Sequence, residues 1–255
     1  MTCDCPQKDN NLRGTFEGSE CDGQAVAAVT TSPTVQQTSP NMALVVYTPT
    51  ALSEFREDEK TFTFAGRSIA IRQRWEELGV AAVVWDAAVV LAEYLERRVQ
   101  EGELSLQGRT LVELGAGTGL VGIVTALLGG DVVLTDRPVA LEQLRANVAA
   151  NVDAADCPGS VEVRELTWGE RLVEDYSRPF DLVLGADIVY IEDSFPALLR
   201  TLAHLSHQST VVLLSCRIRY DRDEKFLRAM RALFAVQEVL HDSKRGIHVY
   251  RATLL

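Results

Sequence analysis

Regular alternation of apolar and polar positions begins at Phe62. In TFTFAGRSIAIRQ, Phe62 and Phe64, then Ile69 and Ile71, fall on every second residue either side of Ala65-Gly66, the pattern of a β-hairpin. The period then lengthens. VVWDAAVVLAEYLERR carries apolar groups at helical spacing and arginines in its last turn, which predicts a helix. Beyond it strands and helices alternate: TLVELGAG as strand, GLVGIVTALLG as helix, DVVLTD as strand, VALEQLRANVAAN as helix and VEVREL as strand. FDLVLGADIVY follows as strand, SFPALLRTLAHL as helix, STVVLLSC as strand and DEKFLRAMRALF as helix. Continuous Val/Leu runs are what strands covered on both faces look like. The alternation predicts an α/β fold with a mostly parallel, doubly wound sheet. AVQEVLHD and GIHVYRATL read as two paired strands joined through Ser243–Gly246, which gives the sheet an antiparallel edge.

The pattern is missing from the first part of the chain. Residues 1–55 are rich in Thr, Ser, Gln, Pro and Asp and poor in large apolar groups, a composition that cannot offset its ordering entropy. A disordered acidic tail is expected there, with one domain over residues 56–255. Nine acidic residues against Lys8, Arg13 and Arg56 leave residues 1–59 at −6 of the chain's −11. That balance argues against general nucleic-acid binding, which needs a basic face. The whole chain, 255 residues with 47% hydrophobic and 24% charged positions, has the make-up of an ordinary soluble protein. No apolar run approaches the ~18 residues of a transmembrane helix, the best being broken by Asp86. No basic and then apolar leader opens the chain, so no secretory signal or membrane partner is expected. Five cysteines without framework spacing fit reduced thiols, hence the cytoplasm, with the nucleus also open. Cys3, Cys5 and Cys21 match no zinc pattern with a second ligand pair.

The chemistry sits in VELGAGTGL, residues 112–120, a strand ending in glycines before a helix. No glycine in the chain is followed by Lys, so this is not a P-loop. Gly117-Thr118-Gly119-Leu120-Val121-Gly122 is formally a dinucleotide fingerprint, with Asp136 about 20 residues on. Its register is off. Gly115 already makes the turn, Gly119 to Gly122 fall in the helix, and Gly122 is better explained by close packing.

Glu113-x-Gly115-x-Gly117-x-Gly119 resembles motif I of the class I S-adenosylmethionine methyltransferases. Such a ligand carries no phosphate. Glycines let backbone approach its methionine part, and Asp136 can accept both ribose hydroxyls or, on the other reading, cap the helix after Pro138. GVAAVVWDAA (79–88), ELTWG (165–169), LGADIVY (184–190) and SCRIRYDRDEKFL (215–227) complete an ordered set. Together they strongly resemble methyltransferase-like family twenty-one of protein-lysine methyltransferases, a seven-strand, Rossmann-like group with an Asp-x-x-Tyr signature, here Asp187-Ile188-Val189-Tyr190. The resemblance covers roughly residues 42–253, starting at NMALVVYTP, and leaves residues 1–41 as an extension. AVVWDAA and CRIRYDRD are closest to the member that methylates seventy-kilodalton heat-shock chaperones, with the member acting on translation elongation factor one-alpha next.

The resemblance implies S-adenosylmethionine as cofactor and a role for each matching residue. Trp85 would cover its methionine end, or serve as a core tryptophan. Gly115, Ala116 and Gly117 would line the methionine part by backbone, and Asp136 would hold the ribose. Trp168 would stack near adenine, or anchor its loop, and Ala186 would touch the cofactor by backbone. Asp187 and Tyr190 would shape the mouth where the target lysine enters, or act as strand-end cap and packed tyrosine. The acceptor is then a protein, probed by an enzyme expected to be a monomer. The electrophile is already activated, so alignment suffices, and no histidine base is expected. His204-x-x-His207 lacks a visible third ligand, and no metal is expected there. No Asn/Asp-Pro-Pro-Tyr/Phe string follows LGADIVY and no Pro-Cys nucleophile occurs, which disfavours the usual nucleic-acid methylases. An NAD(P) oxidoreductase lacks a catalytic set, a non-catalytic adaptor is at odds with intact cofactor positions, and a small-molecule acceptor stays open.

Overall fold

The computed structural model describes residues 57–172, 176 and 180–255; the predicted tail, with Cys3, Cys5 and Cys21, and the NMALVVYTP segment lie outside them. The hairpin is β1 (Glu59–Phe64) and β2 (Arg67–Arg72), paired Phe64 to Arg67 across a two-residue turn. Ala65 and Gly66 have φ of 52° and 70°, the doubly positive turn whose twist matches a hairpin. A short helix α1 (Trp75–Leu78), a 3₁₀ turn (Gly79–Ala82) and helix α2 (Asp86–Gln100) lead into the main sheet. The sheet strands and remaining helices run β3 (Thr110–Leu114), α3 (Leu120–Leu127), β4 (Asp131–Asp136), α4 (Pro138–Asn151), β5 (Ser160–Glu165) and β6 (Leu182–Ala186). They continue through α5 (Phe195–Leu205), β7 (Val211–Cys216), α6 (Asp221–Arg231), β8 (Phe234–Asp242) and β9 (Ile247–Leu254).

Sheet order is β5-β4-β3-β6-β7-β9-β8. Strands β3 to β7 are parallel, and β9 runs antiparallel to both β7 and β8. The antiparallel edge therefore takes a particular form: β9 slots inside β8, so the outermost strand again points with the parallel set. Strand period sorts the core into two layers. Val112, Val183, Val212 and Leu214 face α5 and α6, meeting Leu198, Leu202, Phe226 and Met230. Leu111, Leu184, Leu213 and Val249 face the other way, against Val90 and Leu91 of α2 and Val121 of α3. Phe64, Ile69 and Ile71 of the hairpin pack on the outer side of α3, against Leu120, Ile123 and Val124. All eight residues of α3 are consequently buried, which is why its sequence is apolar all round.

The hairpin's outer edge is closed by side chains. Asn151 on α4 accepts from the Ala70 N–H (2.9 Å) and donates to the Ala70 carbonyl (2.8 Å). Asn147, one helical turn earlier, accepts from the Arg72 N–H (3.0 Å) and donates to the Arg72 carbonyl (3.1 Å). Residues i and i+4 of a helix are spaced ~6 Å along its axis, and i and i+2 of a strand ~6.6 Å, so two asparagine amides serve as an extra strand.

The helix expected from Val83 starts at Asp86, with Trp85 as its N-cap, and three other boundaries differ from the sequence pattern for reasons the structure shows. The strand expected through residue 117 stops at Leu114, because Gly115 turns left-handed with φ 62°. The strand expected over 180–190 stops at Ala186. Asp187 has φ 54° and gives its N–H to the Ser215 carbonyl (2.8 Å), a conformation that cannot continue a ladder. The helix expected through Phe234 ends at Arg231, and Phe234 opens β8 as a fully buried residue.

Candidate active site

Strand order reverses between β3 and β6, since β4 lies on one side of β3 and β6 on the other. In an open α/β sheet ligands bind outside the carboxyl ends of the strands at that point. The predicted residues leave those strand ends: Gly115, Ala116 and Gly117 after β3, Asp136 at the end of β4, Trp168 after β5, and Ala186, Asp187 and Tyr190 from β6.

The glycine loop is held from both sides. Ala116 donates to the Thr135 carbonyl (2.9 Å), and Gly117 donates to Oδ2 of Asp136 (2.8 Å). A Cβ on Gly115 would come within 2.9 Å of Ile188 Cγ2 and 3.4 Å of Trp168 Cζ2. Gly115 thus sits between the tryptophan from the β5 loop and an isoleucine from the β6 loop. A Cβ on Gly117 would lie 3.1 Å from the Ala81 carbonyl oxygen. The 3₁₀ turn is therefore the roof of the loop, and Trp85 holds that turn by donating from Nε1 to the Val80 carbonyl (2.9 Å). Gly119 is the N-cap of α3 rather than a helical residue.

Below the loop, Glu113 is 2% exposed and accepts from the Gly122 N–H (2.9 Å), so a side chain from the preceding strand caps α3. Burial, with a smaller push from Asp136, lifts its carboxyl to about 8. A Cβ on Gly122 would sit 1.8 Å from Leu134 Cδ2, so the close-packing role expected for this glycine is what it has.

Asp136 does not cap α4. That position belongs to Arg137, with no side-chain cap bond. The Asp136 carboxylate turns back instead, its Oδ1 accepting from the Arg137 N–H (2.7 Å) and its Oδ2 from Gly117. Burial raises its pKa, opposed by those two N–H groups and by the Arg137 charge. Each oxygen keeps a second lone pair, so the carboxylate can still accept from a vicinal diol, and this pair of acceptors fits the ribose of S-adenosylmethionine.

Tyr190 is 40% exposed and lies within electrostatic reach of Arg137, Asp136 and Asp187; its hydroxyl pKa is raised, chiefly by desolvation. Burial likewise raises Asp187, against the pull of Arg219 and Arg217 and with the push of Asp86 and Asp223. Arg217 donates to Asp86 Oδ2 (2.9 Å) and to the Arg245 carbonyl (2.6 Å), tying the start of α2 to the β8–β9 turn beside this mouth. The sequence pattern did not single out Ala81, Ile188, Arg217 or Arg219. CRIRYDRD held the two arginines in view, whereas nothing in the sequence marks Ala81 or Ile188 as loop neighbours. His204 and His207 do not converge: His204 Nε2 contacts the Tyr176 carbonyl (2.9 Å), and His207 Nδ1 contacts Thr210 Oγ1 (2.9 Å).

A glycine loop at the switch point, with an acid at the end of the next strand, is a nucleoside-binding arrangement, and the comparisons make it that of a class I methyltransferase that uses S-adenosylmethionine. The solved structures agree on the fold. A Thermus thermophilus 16S rRNA guanine methyltransferase, in complex with AdoMet and guanosine, matches at TM-score 0.57 and 19% identity, over 77% of this chain and 50% of that one. Magnesium protoporphyrin IX methyltransferase from Synechocystis, with bound SAH, matches at TM-score 0.54 and 14% identity, over 81% and 95%. Residues 63–233 match the family model described as lysine methyltransferase, and the chain belongs to that family, as a METTL21-type protein-lysine methyltransferase. Protein N-lysine methyltransferase METTL21A of Danio rerio is 56% identical over 83% of this chain and 96% of its own length; that of Mus musculus is 52% identical over the same shares. EEF1A lysine methyltransferase 3 of Xenopus tropicalis is 40% identical over 79% and 88%.

Proposed function

We propose that this enzyme methylates a lysine of a seventy-kilodalton heat-shock chaperone, with Asp187 and Tyr190 receiving the lysine and Trp85, Gly115, Ala116, Gly117, Asp136, Trp168 and Ala186 holding the cofactor. S-adenosylmethionine supplies a methyl group already activated on a sulfonium. The protein's task is to align a neutral amine with it. Neutralising a free lysine at pH 7.4 costs about 4 kcal/mol, and a desolvated mouth lowers that cost. Asp187 attracts the ammonium form, Tyr190 orients the amine, and Asp136 fixes the ribose through its two oxygens, of which Oδ2 also braces the glycine loop.

The observation that carries the reading is that Asp136 ends β4 and Asp187 follows β6 on either side of the β3 glycine loop, with Tyr190 feeling the charge of both, which supports a cofactor acid and an acceptor acid serving one mouth. The choice of substrate is supported by the AVVWDAA and CRIRYDRD segments, and by identities of 50–56% to METTL21A against 40–41% to EEF1A lysine methyltransferase 3. The test is methyl transfer from radiolabelled cofactor to purified chaperone and to purified elongation factor one-alpha, in parallel. Label on the chaperone, lost in Asp187→Ala while cofactor binding by calorimetry is kept, is the expected result. Label on the elongation factor instead moves the substrate. Full turnover in Asp187→Ala removes Asp187 from the mechanism.

A further inference from the structure

The fold brings together a second set of chemistry-bearing side chains, Glu238, His241 and His248, on the β8–β9 hairpin. Residues three apart in a regular strand face opposite sides. A β-bulge between Glu238 and Leu240 changes this. Glu238 pairs with Tyr250, the next pairing is Leu240 with Val249, and His241 then stands directly across from His248. The extra residue turns Glu238 and His241 to one face, the one that His248 and Tyr250 already share. Val239 and Leu240 both go to the opposite side, with Ile247 and Val249 against the α2 layer. A bulge is a device for re-aiming a side chain, and here it re-aims two.

We propose that Glu238, His241 and His248 bind a transition-metal dication of the zinc class. One ligand atom from each of the three lies within 4.8 Å of the other two. The imidazoles of His241 and His248 are stacked, with centroids 4.1 Å apart and planes 8° from parallel. His248 Nδ1 is 3.2 Å from Glu238 Oε2. Tetrahedral zinc with bonds near 2.1 Å sets its ligands ~3.4 Å apart, so closure needs an approach of about an ångström and, because each lone pair lies in its ring plane, rotation of His241 out of the stack. Glu238 and His241 are exposed and free to make it by side-chain rotation, while His248 is half-buried and stays as the anchor. Behind it, the Tyr250 ring lies parallel to His248 at 6.0 Å. Two imidazoles with one carboxylate select Zn(II), Cu(II), Ni(II) or Co(II) over Mg(II) and Ca(II), which take oxygen ligands. Three protein ligands leave a position for water. His248 also lines a groove of about 430 Å³ with Glu224, Arg228 and Arg231 of α6, and the exposed Glu238 and His241 leave the cluster open to solvent. The site lies apart from the glycine loop but at the same end of the sheet, because His248 pairs with Cys216, the last residue of β7. A bound ion would clasp the bulged strand to β9.

The experiment is zinc titration of the full chain by calorimetry, against a chromogenic zinc chelator, at pH 7.5. It is carried out on a parent bearing Cys3→Ser, Cys5→Ser and Cys21→Ser, so that N-terminal thiols do not compete. The expected result is one zinc per chain, weakened roughly 100-fold or more by His241→Ala, a loss at the upper end of what even an outer-shell partner costs. Glu238→Gln weakens it as well, and His204→Ala leaves it unchanged. Both ligand substitutions are at exposed positions and should leave the circular dichroism spectrum as it was. Absence of zinc binding by the parent, or binding that His241→Ala and Glu238→Gln both leave unchanged, overturns the proposal.

Discussion

Asn147 is fully buried, and its amide meets backbone from two other parts of the chain: the Arg72 N–H and carbonyl in the hairpin, and the Thr118 carbonyl in the glycine loop (3.0 Å). It is the piece that ties the hairpin to the cofactor loop. In Asn147→Ala the Arg72 carbonyl keeps its bond from Gln143 Nε2 (2.8 Å), but the Arg72 N–H and the Thr118 carbonyl lose this partner. Each buried group left unsatisfied costs ~1–3 kcal/mol. The Thr118 carbonyl is such a group, whereas Arg72 is an exposed residue whose N–H can turn to water, so about 2 kcal/mol is expected. In a domain of this size each kcal/mol moves Tm by ~2–4 °C, which makes the drop about 4–8 °C. Asn151→Ala is the internal comparison. Asn151 reaches only the Ala70 backbone and its own helix, through part-buried bonds that water can replace, and about 1 kcal/mol or less is expected. Asn147→Asp should cost at least as much as the alanine at neutral pH, because it turns a carboxylate oxygen toward two carbonyls. Urea unfolding at pH 7, with Tm as a second readout, measures all three. An Asn147→Ala loss below about 1 kcal/mol, or no larger than that of Asn151→Ala, would mean that Asn147 does not tie the hairpin to the glycine loop.

Glu113→Gln should flatten the pH dependence of stability. The folded-state carboxyl near 8 lies above the ordinary 4.5, so between these values the unfolded chain releases a proton that the folded chain keeps. The stability from this group is full below about 4.5 and lost as pH rises towards about 8. Glutamine still accepts from Gly122, and unfolding curves at pH 5 and pH 8 should show the variant gaining on the parent as pH rises. Gly122→Ala should lower Tm, since overpacking against Leu134 costs ~1–3 kcal/mol and outweighs the ~1 kcal/mol of helix propensity gained; an unchanged Tm would contradict the close packing. Asp136→Ala should weaken S-adenosylmethionine binding about 100-fold or more in calorimetry, because two charge-assisted hydrogen bonds of ~1.5–3 kcal/mol each are removed, and intact affinity would remove Asp136 from the site.

The hairpin, the alternating strands and helices, and the stretch from Glu113 to Gly122 could be read directly from the sequence. Their signals are local: period two in Phe62 to Ile71, all-apolar runs in buried strands, and glycines where φ must be positive. The spacing of Asp136 from the glycines was equally legible, since one strand, one helix and the next strand fix that distance along the chain. What Asp136 does with its carboxylate was not, because capping α4 and bracing Gly117 require the same residue at the same place. That choice belongs to the loop's position in space. The end of β6 is another case. FDLVLGADIVY is continuous strand by pattern, and nothing in it marks the left-handed turn at Asp187, whose N–H still reaches Ser215 of the neighbouring strand. Ala81 over Gly117, Ile188 against Gly115 and the asparagine pair along β2 are likewise contacts between segments far apart in sequence. The Glu238–His241–His248 cluster depends on a bulge that shifts register by one residue, a change no periodicity records. Periodicity and turn chemistry set each element and its buried face, whereas register and long-range approach, fixed only when those faces pack, decide which side chains meet.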